Sequence, residues 1–210
     1  MSLRQPSPLV RRLVLALGAV VILLVGYVLG NQYARQRLEQ QVSAQLLETP
    51  RALPAFYLTG TDGQDFGPEA FAGHWSFVYF GCIDCADSRE SVLALFHRLF
   101  NRLADDPELQ ARMRLVFVAT DPEADPPEHL RERIFYYNPE FVGLSGEARQ
   151  IAILAAALAG SLRLPETGEL NESPLYLVAP DGRQVAIFTG LVDVETLGRD
   201  LRAIAEHLHL

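Results

Sequence analysis

The 210-residue chain contains no lysine; all 18 of its basic residues are arginine. That composition points to a GC-rich, bacterial genome. Acidic residues number 26 and the net charge is −8, so there is no basic field to hold nucleic acid, and that class of function is excluded. Cysteine is nearly absent: Cys82 and Cys85 are the only two, three positions apart. A bridge across so short a loop removes little chain entropy, which excludes a structural staple. Internal repeats and low-complexity tracts are missing as well. With 49% hydrophobic residues the chain has enough apolar content for one good-sized core and a small appendage.

Charge is missing altogether between Arg12 and Arg35, and here the chain shows what it has instead. Residues 13–30 read LVLALGAVVILLVGYVLG. Eighteen residues at ~1.5 Å each span about 27 Å, close to the hydrocarbon thickness of a bilayer. Arg4, Arg11 and Arg12 precede the run with no acid among them, which predicts a cytoplasmic N-terminus. The alternative is a cleaved signal peptide. The run is longer than the usual ~7–15 apolar residues of such a segment, and no small-x-small cleavage site follows, so an uncleaved anchor is favoured. The expectation is a single pass through a bacterial inner membrane, with the C-terminal part in the periplasm, where disulfides persist. Residues 1–12 are then the cytoplasmic N-terminus, 13–30 the transmembrane anchor, 31–53 a helical stalk and linker, and 54–210 the globular domain.

That domain is organised around residues 74–96, HWSFVYFGCIDCADSRESVLALF. A hydrophobic strand-type run over 76–80 breaks at Gly81 and delivers Cys82 and Cys85. Val92, Leu93, Leu95, Phe96 and Leu99 then recur at helical spacing, predicting a helix over about 84–103. Strand, Cys-x-x-Cys and helix together suit thiol-disulfide chemistry, because a helix N-terminus stabilises a thiolate. Further along, strands are expected at 56–58, 65–66, 114–120, 175–179 and 184–188, and helices at 129–137, 146–162 and 194–208. Pro180-Asp181-Gly182 reads as a hairpin turn. Strands alternating with helices and a terminal hairpin predict an α/β fold of the thioredoxin type.

Several stretches together resemble the Sco/SenC family, membrane-anchored thioredoxin-fold proteins of respiratory copper-site assembly. FYLTGTDGQDFGPEAFAGHWSFVYFG is similar to that family's opening hairpin and first core strand. LVFVATDPEADPPEHL is similar to its strand ending in an Asp-Pro-Glu-x-Asp turn, here Asp121, Pro122, Glu123 and Asp125. FVGLSG and YLVAPDG match later blocks, and the ordered set covers roughly residues 55–206. The resemblance implies a Sco-type thioredoxin-like domain whose client is a copper site of cytochrome c oxidase or of an assembly partner. It also exposes a departure. The family's metal site uses Cys-x-x-x-Cys and a later histidine; counted along this chain, the first cysteine falls on Cys85, the second on Arg89 and the histidine on Asn171. Cys82, outside that pattern, has been gained.

Exchange chemistry needs an accessible thiolate and a second thiol to resolve the mixed disulfide. The residues assigned to it are Cys85 as nucleophile, Cys82 as resolving thiol and Arg89, at i+4 from Cys85, as the neighbouring cation. Arg89 would lower the thiol pKa while Asp84 and Asp87 would raise it. The alternative is a Cu(I)-binding metallochaperone, since two thiolates at Cys82 and Cys85 suit that soft ion without histidine. Among the histidines, His74 and His97 are too far along strand and helix, and His129 is the one placed to serve as a third ligand. A non-catalytic assembly scaffold is the remaining alternative. No Pro-x-x-x-Thr-x-x-Cys framing accompanies the cysteines, which argues against a peroxidase.

Overall fold

A computed structural model describes residues 8–83, 92–121, 127–160, 174–190 and 192–208. It divides into two compact units, Met1–Gln40 and Gln41–Leu210. In the first, helix α1 (Pro8–Gln41) contains the whole apolar run. Its side chains from Leu17 to Tyr27 are exposed, Ile22 and Leu23 to 73% each. The described side chains of the run begin at Leu17 and omit Val28. Among the described residues no helix is long and apolar enough to cross a membrane.

The second unit departs at once from expectation. Residues 45–52, assigned to the linker, form strand β1 (Gln45–Ala52) at the edge of the sheet. QLLETPRA has neither the alternation of a strand nor a strand-like composition. Its conformation comes from its partner, β8 (Arg183–Phe188), to which it pairs antiparallel with Gln45 opposite Ile187 and Ala52 opposite Arg183. The register shifts between Leu46 and Arg51, the stretch holding Pro50. A proline with no N–H to donate is tolerated at such a bulge on an edge strand.

The sheet continues with β2 (Leu58–Gly60), β3 (Asp65–Phe66), β4 (Trp75–Gly81), β5 (Met113–Ala119), β6 (Val142–Ser145) and β7 (Leu175–Val178), in the order β1-β8-β7-β4-β5-β6-β2-β3. β4, β5 and β6 run parallel and the remaining pairs antiparallel. Helices α2 (Val92–Arg102), α3 (Pro107–Arg112), α4 (Pro127–Tyr137), α5 (Ala148–Ala159) and α6 (Val194–Leu208) complete the layers. The start expected for the helix after the cysteines lies outside the described residues. α3 and β6 had no place in the sequence reading. α3 is a single capped turn and a half, with Asp106 accepting the Leu109 N–H at 3.1 Å. β6 is only VGLS, and pairing to β5 on one side and β2 on the other makes it a strand.

Strand side chains alternate, so β4 feeds two cores. On one face Phe77 stacks its ring 5.0 Å from Phe96 of α2 and 5.7 Å from Phe188 of β8. On the other, Val78 joins Val116, Val118, Leu144, Tyr176 and Ile187 beneath Ile151, Leu154 and Leu158 of α5. Arg114 lies on that second face near the start of β5. It donates to Ser76 Oγ at 3.0 Å and to the Ala70 carbonyl, with its guanidinium 5.6 Å from the Phe66 ring centre. Burial pulls its pKa down to about 10, which still leaves it charged at neutral pH.

Two polar contacts fix the ends of this unit. The carboxylate of Asp200 in α6, fully buried, accepts both the backbone N–H and the Oγ–H of Ser43, at 2.7 and 2.6 Å. Just before α6, Asp193 accepts the Thr196 N–H at 3.0 Å and its hydroxyl at 2.9 Å. Those bonds to Thr196 hold its carboxyl below the ordinary aspartate value. The cap's contribution is therefore complete above the unfolded-state pKa and fades as pH falls through the lower folded-state value. Asp193→Asn keeps a capping oxygen that does not titrate. Thermal melts from pH 6 to 2.5 should show the gap between wild type and this variant narrowing or reversing below about pH 4. A gap unchanged with pH would remove the cap from the account.

Candidate functional site

The register of three strands defines one edge of the sheet. β4 and β5 pair in parallel up to Gly81 opposite Ala119, and the Thr120 N–H then donates to the Gly81 carbonyl at 3.0 Å. The two strands therefore stay locked to their last residues. Cys82 follows immediately, half-buried, and Asp121 stands exposed one residue beyond Thr120 on the neighbouring strand. β7 runs the other way, Tyr176 opposite Val78, so that continuing the register sets Pro174 opposite Phe80. This is the carboxyl edge of the parallel strands, where open α/β sheets place their sites. Asp121 thus shares this edge with Cys82.

The first residues of this unit reach the same edge. Gln45 is level with Ile187, Ile187 with Tyr176, and Tyr176 with Val78. Residues 44 and 43 continue from Gln45 in the direction in which 80–82 continue from Val78. Three strand spacings, roughly 14 Å, separate the two columns.

Cys82 is disulfide-bonded, and no free cysteine occurs among the described residues. Cys85 and Arg89 lie outside the described residues, as do Asn171 and the acidic turn at 122–126. Aromatic rings flank the approach to Cys82 on both faces of β4. Tyr79 packs on Phe117 with ring centres 5.7 Å apart, and Phe80 meets Tyr176 edge-on at 6.0 Å. Burial raises the phenol pKa of Tyr176, so it is neutral wherever the protein is folded near neutrality. The sequence reading passed over both tyrosines. The one signal for Tyr79 was Gly81 two residues later, a glycine where no turn demanded one.

His74 precedes β4 at the opposite edge, its Nδ1 3.0 Å from the Ala72 carbonyl. Burial, and then the charge of Arg114, lower its pKa. His97 sits in α2, its Nδ1 2.6 Å from the Tyr137 carbonyl and its Nε2 3.1 Å from Asn101. His129, half-buried in the first turn of α4, follows the strand that ends beside Cys82. Among the described residues no group of three His, Cys, Asp or Glu side chains is arranged to hold a metal ion.

The family model for SCO1/SenC matches residues 44–206, nearly all of the second unit. The chain belongs to the SCO1/SenC family. A Stutzerimonas stutzeri protein named for a presumed copper-binding role is 34% identical over 154 residues, covering 70% of this chain and 74% of its own length. Apo Sco1 from Thermus thermophilus superposes with a TM-score of 0.62 at 25% identity, covering 78% of this chain and 96% of its own. BsSco, described through a disulfide switch and as a member of the Sco family of cytochrome c oxidase assembly proteins, superposes at 0.58 with 20% identity, covering 76% of this chain and 97% of its own. The thioredoxin-like Sco fold expected from the ordered blocks is therefore the fold of this chain. The family match begins at residue 44, in agreement with β1 being part of the domain rather than linker.

As a disulfide, Cys82 offers no thiolate to a metal. What the described residues supply is a half-buried, disulfide-bonded Cys82 at the rim of a Sco-type sheet, following two locked strands.

Proposed function

We propose that this Sco-family protein is a membrane-anchored, periplasm-facing thiol-disulfide exchanger acting through Cys82 and Cys85, in service of a respiratory copper site. The observation that carries the reading is the oxidised, half-buried Cys82 at the carboxyl edge. With two cysteines in the sequence, its intrachain partner by count is Cys85. Arg89 supplies the fixed cation expected to favour a thiolate there. A client for copper-site assembly is supported by the Sco relatives, BsSco being one of the cytochrome c oxidase assembly proteins and carrying a disulfide switch. The anchor is supported by residues 13–30 and by the exposed aliphatic surface of Leu17–Tyr27. An exposed aliphatic stretch of this kind suits an apolar surrounding such as lipid.

The chemistry balances within the protein and its client. A client thiolate attacks the disulfide, a mixed disulfide forms as one protein sulfur leaves as thiolate, and the client's second thiol resolves it. The client is oxidised to a disulfide, the protein is reduced to a dithiol, and the client's two protons end on the protein's sulfurs or in solvent.

A redox titration of the full chain in detergent micelles tests this. Thiol counting against glutathione or dithiothreitol buffers should give a single two-electron midpoint between about −300 and −120 mV, the span of known exchangers. A pair that stays oxidised, or stays reduced, across that whole window removes the proposal.

A second reading is favoured by the Stutzerimonas stutzeri relative named for a presumed copper-binding role. Once reduced, the two sulfurs are soft thiolate donors, and Cu(I) as cargo suits such a pair. His129, at the right end of α4, is the side chain to vary as a third donor. Competition with a Cu(I) chelator distinguishes this reading: a Cys82→Ser/Cys85→Ser protein that holds copper as well as wild type eliminates it.

A further inference from the structure

We infer that Tyr79 is the surface on which the thiol-bearing segment of a polypeptide partner lies, making it a specificity-determining residue of the Cys82 site. This rests on the thiol-exchange reading above and goes on to say what part of the partner is recognised.

The inference starts from Gly81. Its backbone is not among the described positive-φ glycines, which are Gly63, Gly73, Gly146, Gly182 and Gly190. Conformation therefore does not require glycine there. Space does. A Cβ at position 81 would lie 2.5 Å from Tyr79 Cε1 and 3.3 Å from its Cδ1 and Cζ, far inside van der Waals contact. The Tyr79 ring is folded along the strand and covers the residue that directly precedes Cys82. One side of the ring leans on Phe117 at 5.7 Å, yet Tyr79 as a whole is only half-buried. A buried ring needing support would be closed in on both sides, as Phe77 is between Phe96 and Phe188.

A mixed disulfide with either sulfur of the Cys82–Cys85 pair brings the partner's backbone to this edge of the sheet. A flat, half-open aromatic ring over the residue that precedes Cys82 gives an incoming segment apolar contact at that edge. A small reagent such as dithiothreitol spans no such surface. The ring should therefore matter to a peptide and not to a small dithiol, a split that a purely structural role would not produce.

The test uses the oxidised full chain in micelles and two reductants, dithiothreitol and a ten-residue peptide carrying two cysteines. Tyr79→Leu should slow reduction by the peptide by up to about tenfold, the scale of one aromatic contact, through KM rather than kcat, with the dithiothreitol rate within about twofold of wild type. Tyr79→Phe, which keeps the ring and its packing on Phe117, should keep both rates. Gly81→Ala, which pushes the ring aside, should reproduce Tyr79→Leu. Equal losses with both reductants, or no loss with either, overturns the inference while leaving thiol exchange intact. Loss in Tyr79→Phe as large as in Tyr79→Leu also overturns it, transferring the effect from ring to hydroxyl. A wild-type protein that neither reagent reduces removes the exchange reading itself.

Discussion

Cys82→Ser is expected to abolish thiol-disulfide exchange completely. Maleimide labelling of wild type should find no reactive thiol before reduction and two after it, because the chain has two cysteines and Cys82 is bonded. The serine variant should show one thiol in both states. A serine hydroxyl forms no disulfide, so the variant has no oxidised pair for a client thiolate to attack. Cys85→Ser should behave in the same way. In cells whose own gene has been deleted, either variant should leave cytochrome c oxidase activity at the level of the deletion. Oxidase activity fully restored by the Cys82→Ser/Cys85→Ser protein would instead assign this chain the part of a non-catalytic assembly scaffold. One outcome is a sulfur function and the other a surface function, and they cannot both be observed.

Phe77→Ala should be the most damaging single truncation in the fold. The side chain is fully buried, and its ring ties the central strand to α2 through Phe96 and to β8 through Phe188, at 5.0 and 5.7 Å. Removing a buried phenylalanine leaves a cavity between elements that cannot close around it, at a cost of about 3–5 kcal/mol. For a unit of this size that corresponds to a fall of roughly 10 °C or more in melting temperature. Phe77→Leu keeps most of the volume and should cost far less. Melting followed by circular dichroism measures both. A loss under about 1 kcal/mol for the alanine variant would mean the helical face does not close on β4 as described. Because β4 also carries Cys82 at its end, the same variant should broaden the redox midpoint as the edge loosens.

The two ends of β4 illustrate what can be read without coordinates. Its run of SFVYF was legible as a buried strand, and the hairpin at Pro180-Asp181-Gly182 and the amphipathic α6 were equally plain. Each of these carries its own local signal: a periodicity, or a turn residue with a fixed backbone demand. β1 and β6 carry none. QLLETPRA and VGLS become strands because β8 and β5 present unpaired backbone groups beside them, and a single sequence has no record of which neighbour will stand there. The hydrogen-bond and ring partners of the core are hidden for the same reason.

The site divides along the same line. Spacing and scarcity singled out Cys82 and Cys85, and the ordered blocks pointed to the Sco family, since both are written in consecutive residues. That Asp121 ends a strand locked beside Cys82, that Ser43 is held by a buried Asp200, and that the Tyr79 ring occupies the missing side chain of Gly81 depend on residues brought together from opposite ends of the chain or folded back along one strand. Chemistry that rests on residue type and spacing was fixed by sequence alone. Placement that rests on register was decided only in three dimensions, because a one-residue slip in a sheet sends every side chain to the opposite face while leaving the sequence unchanged.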